Sequence, residues 1–124
     1  MKDRLADIEI VRNEWLRVYI LGEVQALSYL EHKDLIQVTC HRLSSKTERL
    51  NRISYLVRTG KWPYASDSLW RESDVSYIYS SDKLKVVVQG YGAIYQKNKT
   101  PVYEHFIEEW VYEASWKILR LYTF

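Results

Sequence analysis

Few residues in this chain could do chemistry, and they are scattered. Glu108 and Glu109 are adjacent, His105 lies just before them, and His41, Tyr19 and Tyr91 stand further off. A carboxylate held in an apolar cavity has a raised pKa and can act as a general acid or base. Neighbours on a strand face opposite ways, so only one of Glu108 and Glu109 can point inward. A loop of two or four residues between the last two strands places Glu109 opposite Arg120 as a cross-strand ion pair. That leaves Glu108 on the face of Phe106 and Trp110. The structural reading of both glutamates is the stronger one. Asp74 and Asp82 fall at strand ends or turns, where they complete no acid/base pair.

Other chemistries find less support. His32, His41 and His105 lack metal-ligand spacing, so no metal is expected. His32 sits near a helix end and reads as solvated. Cys40 lies in a strand pattern and reads as a small buried apolar residue. No phosphate-binding glycine loop occurs, and no cofactor is expected. Between Arg42 and Lys61 there are six basic residues and one acid, Glu48. On a helix Lys46, Arg49 and Arg52 share a face opposite Leu50, Ile53 and Val57. The plain reading is a solvated amphipathic face. The sharper one makes Arg49 and Arg52 contacts for an acidic protein partner. A net charge of +2 does not point to nucleic acid.

These residues must be positioned by helices first and strands afterwards. Ile8, Val11, Trp15, Val18 and Tyr19 recur at helical steps over 3–21, and Gly22 is a stop. A short helix follows from Glu23 to Leu30, then a strand from Leu35 to Cys40. Ser45-Lys46-Thr47-Glu48 has the spacing of a capping box and opens a third helix that Gly60 ends. Trp62-Pro63-Tyr64 breaks regular structure. Strands are expected at 75–79, 84–95, 102–112 and 116–122. Their short connections imply an antiparallel meander. Gly90 and Gly92, inside the long strand, mark a bulge or bend.

The chain of 124 residues fits one domain, 1–124, with ordinary globular composition: 47% apolar and 27% charged. Eleven Tyr and five Trp against two Phe suit half-wet walls and interfaces. One cysteine and no apolar leader suit the cytoplasm, and no apolar run approaches a membrane span.

Several of these residues resemble the nuclear transport factor 2-like superfamily. Trp15, Gly22-Glu23, Ala26-Leu27 and Leu30 are similar to its opening helices. Ser45-Lys46, Leu50, Ile53 and Gly60-Lys61-Trp62 resemble the third helix of its SnoaL-like branch. Glu109-Trp110-Val111 and Ser115-Trp116-Lys117-Ile118 resemble that branch's closing hairpin, with Glu113-Ala114-Ser115 where the branch usually has Asp-Gly. The resemblance covers nearly the whole chain and includes no catalytic signature.

It implies an α+β fold in which three N-terminal helices pack on a strongly curved, mainly antiparallel sheet forming a cone. It also implies an interior pocket and a homodimer through the outer sheet face. Enzymes of the superfamily place Asp, His or Tyr inside the cone, but none of their constellations carries over residue by residue. The leading expectation is therefore a pocket protein binding a small apolar molecule without catalysis. Trp15, Tyr19, Tyr91, Phe106 and Trp110 would form its walls. The alternatives are a protein-binding module, such as a toxin-neutralising immunity protein, and a lyase or isomerase using Glu108, His105 or Tyr19.

Overall fold

The computed structural model describes residues 4–124. Helix α1 spans Arg4–Leu21, and its expected start at Asp3 lies outside the described residues. Ile8, Trp15 and Val18 are buried along one stripe, as the helical spacing requires. Gly22 ends the helix in the left-handed region, at φ 69°. A Cβ there would also lie 2.7 Å from Val57 Cγ2, so glycine lets this corner pack closely. Helix α2, Val24–Leu30, buries Leu27.

Strand β1 runs Glu31–Thr39, beginning earlier than the expected Leu35. Two of the polar residues that hid its start, Glu31 and His32, are buried, Glu31 at 1% exposure. Strand β2, Arg42–Ser45, was not legible from its polar sequence and pairs antiparallel with β1. Cys40 consequently sits exposed in the turn between them, not buried in a strand.

Helix α3, Lys46–Arg58, opens on the expected capping box. Glu48 N–H donates to Ser45 Oγ at 3.2 Å, and Ser45 N–H donates to Glu48 Oε1 at 3.1 Å.

Strands β3 (Leu69–Tyr79), β4 (Lys85–Tyr95), β5 (Glu104–Glu113) and β6 (Ser115–Thr123) form the expected antiparallel meander. Strand β1 joins its end by pairing parallel to β6, giving one six-stranded sheet in the order β2-β1-β6-β5-β4-β3.

The bend at the glycines has a specific cause. Asp74, at φ 55°, and Val75 together oppose the single residue Gly90, so the bulge is on β3 and not on the glycine strand. A Cβ on Gly90 would lie 3.0 Å from Val75 Cα. Glycine at 90 therefore makes room for the bulged backbone.

The inner sheet face carries Val86, Val88, Phe106, Trp110, Ile118 and Leu121. It packs against Ile8, Trp15 and Val18 of α1, with Leu27, Leu35 and Ile53 closing the core. Each such side chain contributes about 1.5–3 kcal/mol by leaving water. The outer face exposes Ile78, Tyr91 and Phe124.

Candidate functional site

The sheet curls around a cavity of about 440 Å³ at the open end of the cone. Cross-strand register sets its floor. Gln37, Leu121 and Glu108 form one row across β1, β6 and β5. On the β1–β6 side the lining is polar: Gln37, Thr39 and Thr123, with Arg49 above them from α3. On the β5–β3 side Phe106, Trp70 and Ile94 form an apolar patch covered by Leu16 and Ile20 of α1, with Glu104 and Lys99 also in the lining. Trp70 can lie across β4 because residue 92 is glycine. A Cβ there would sit 2.0 Å from the indole Cζ2. At the mouth, Tyr19, Trp62 and Tyr64 form an aromatic cluster with ring centroids 5.3–5.8 Å apart. Burial, then the neighbouring Tyr19, holds the Tyr64 hydroxyl above its ordinary pKa.

Two buried ion clusters support the walls. Arg12, fully buried on α1, donates from Nε to Glu108 Oε1 at 2.7 Å and from Nη2 to Glu108 Oε2 at 3.0 Å. It also holds Glu72 of β3 through both terminal nitrogens, at 3.0 and 2.9 Å. Trp110 Nε1 donates to Glu108 at 2.8 Å, and Trp70 Nε1 to Glu72 at 2.7 Å. One arginine thus ties helix α1 to two strands and, through them, two indoles. Burial raises the Glu108 pKa, while the Arg12 charge and hydrogen bonds oppose that rise. Burial would lower the Arg12 pKa, but Glu108 and Glu72 outweigh it and hold it above the usual range.

In the second cluster Arg49 donates to Glu31 Oε2 from Nε at 3.3 Å and from Nη2 at 3.0 Å. Trp15 Nε1 donates to the same oxygen at 2.9 Å. Glu31 Oε1 is buried without a hydrogen-bond partner.

No protein-family model and no curated protein matches the chain in sequence. Its shape has clear counterparts among solved structures. An NTF2-like protein from Cytophaga hutchinsonii superposes with a TM-score of 0.73 at 20% identity, covering 99% of this chain and 98% of that one. The chain has the nuclear transport factor 2-like fold. The CaMKII hub homology domain of Chlamydomonas reinhardtii shares it, with a TM-score of 0.76 at 12% identity over 98% of this chain and 97% of that one. So does a ketosteroid isomerase-like protein from Erwinia carotovora atroseptica, with a TM-score of 0.66 at 15% identity over 99% and 96%.

Within this NTF2-like cone Trp15, Tyr19, Phe106 and Glu108 reach the cavity. Tyr91 does not form a wall. Its strand alternation turns it outward, where it is 47% exposed and stacks on His105 at 5.0 Å. His105 is therefore on the outer face too, away from the interior. Trp110 is fully buried behind the lining, edge-on to Trp15. Glu109 stands opposite Arg120 in the ladder, but the expected ion pair is not formed: Arg120 Nη1 donates to the Asp34 and Leu119 carbonyls.

His41 is exposed in the β1–β2 turn. His32 is buried, not solvated: its Nδ1 accepts from Asp34 N–H at 3.0 Å, and Nε2 lies 3.3 Å from Glu113. Among the described residues no three His, Cys, Asp or Glu are grouped to hold a metal.

The basic helix face is not a free surface. Arg49 is 3% exposed, Lys46 Nζ donates to the Ser28 and Glu31 carbonyls, and Arg52 donates to Ser44 Oγ. Arg49 therefore offers almost no outer surface to a protein partner: it pairs with Glu31 and lines the cavity. Arg12, Glu31, Glu72 and Trp70 were missed. A charged residue one turn from Ile8 on an apolar stripe was the legible sign of Arg12.

Proposed function

We propose that this protein is a cytoplasmic small-molecule-binding module, taking a mostly apolar ligand into the cone and working as a homodimer through its outer sheet face. The observation that carries the reading is the cavity of about 440 Å³ walled by Trp15, Leu16, Tyr19, Trp70 and Phe106. Its size and its combination of aromatic walls with convergent polar groups suit a small-molecule site. Binding without turnover is the reading for Glu108. Both its oxygens accept from Arg12, and one also accepts from Trp110, so it serves as an anchor for α1. Ile78, Tyr91 and Phe124, with His105 between the two rings, supply apolar outer surface for the second copy.

A panel of apolar aromatic and alicyclic compounds, scored by quenching of tryptophan fluorescence and by thermal shift, tests the site. Saturable quenching with a rise in melting temperature is expected, since Trp15 and Trp70 line the cavity. A panel without one such response would sink the reading. Light scattering tests the dimer, which requires twice the chain mass.

A further inference from the structure

We propose that Arg49 recognises the head group of the cavity's ligand, and that this ligand is a carboxylate carried on an apolar body. The inference rests on the pocket reading above and names the ligand class it leaves open.

Arg49 is a buried residue that forms part of the cavity wall. Glu31 holds it through Nε and Nη2, and Nη1 makes one long contact of 3.4 Å to Gln37 Oε1. A guanidinium has five N–H donors and keeps its charge at any physiological pH. The three bonds leave one further N–H on each terminal nitrogen, and a buried donor left without an acceptor is unfavourable.

Two rings flank the group: its carbon lies 5.2 Å from the Tyr19 ring centroid and 6.0 Å from that of Trp15. Gln37, Thr39 and Thr123, whose side chains can donate hydrogen bonds, line the same side of the cavity. A fixed fork of donors beside neutral polar groups matches the two oxygens of a carboxylate. It also repels an ammonium. Of the two glutamates that line the cavity, Glu108 is already matched by Arg12 and Glu104 is exposed to solvent. Opposite Arg49 the wall of Phe106, Trp70 and Ile94 would take the apolar body.

Three compounds of one shape test this: phenylbutyrate, phenylbutanol and phenylbutylamine, titrated calorimetrically into the full chain. The acid is expected to bind roughly tenfold or more tightly than the alcohol, with the amine weakest. In the doubly neutral variant Glu31→Gln/Arg49→Gln the advantage of the acid over the alcohol should vanish. Equal affinity of acid and alcohol for the unmodified protein overturns the head-group assignment and leaves the pocket standing. Failure of all three compounds to bind overturns both. The comparison on the unmodified protein stands even if the variant does not fold.

Discussion

The indoles of Trp15 and Trp110 meet edge to face, with centroids 5.6 Å apart, and each N–H donates to a different buried carboxylate. Trp15 serves Glu31 and Trp110 serves Glu108, so this one aromatic contact joins the two ion clusters that hold helices to the sheet. T-shaped pairs add about 0.5–1.5 kcal/mol beyond area burial. Their larger effect here is positional, because rotating either ring would remove one of the hydrogen bonds that hold a buried carboxylate beside its arginine.

The first cluster should behave as a unit. Glu108→Leu alone leaves Arg12 buried with only Glu72, and Arg12→Met alone leaves Glu108 without its counter-charge. Each single change is expected to destabilise by about 3–5 kcal/mol. The double variant should lose less than the sum, with a coupling of about 0.5–3 kcal/mol in urea denaturation. Additive losses would show that the cluster is not coupled.

Gly92 should resist even alanine. The new methyl would meet the Trp70 indole at 2.0 Å from Cζ2, on a rigid ring and not at the end of a flexible chain. Overpacking of this kind costs about 1–3 kcal/mol. Since Trp70 also walls the cavity, its displacement should shift the tryptophan emission and weaken any cavity ligand. Gly92→Ala in a Trp70→Leu background should be far better tolerated, as measured by thermal melts.

Removing the cap of α3 should have a smaller, local effect. Ser45→Ala loses the acceptor for Glu48 N–H and is expected to lower stability by about 1 kcal/mol. Hydrogen exchange should report it first in the amides of residues 46–49.

The capping box also sets an acid dependence. Bonds from the Ser45 backbone and side chain hold the Glu48 pKa below its ordinary value. A group whose pKa is lowered by folding stabilises above its unfolded pKa, about 4.3 for glutamate, and loses that contribution as pH falls through the folded value. Glu48→Gln should therefore flatten the fall of stability below about pH 4.3 relative to the unmodified protein. Identical acid profiles would remove Glu48 from the account.

Elements with strong local signals were legible in the sequence. The box at Ser45, the stop at Gly22 and the alternation of β4 to β6 depend on near neighbours, and each appears where its pattern falls. The start of strand β1 was hidden because Glu31 is charged, and hydropathy assigns a charge to solvent. Its pairing with Arg49 reverses that assignment, and the pairing is visible only once α3 lies over β1. Arg49 was misjudged for the same reason from the other side. Tyr91 and His105 were placed by residue type, whereas strand parity decides which way they face. The bulge at Asp74 was assigned to the wrong strand because glycine marks the room and not the extra residue.

Strand β1 finds its parallel partner, β6, in the last part of the chain. As the polypeptide leaves the ribosome, β1, β2 and α3 are made long before the edge they dock on exists. They must wait as an unattached unit while the meander completes. Closing so long a loop late raises the entropic barrier, and non-local pairing of this kind slows folding. A truncation removing β6 would therefore do more than shorten one end: it would leave β1 and β2 with no edge to join.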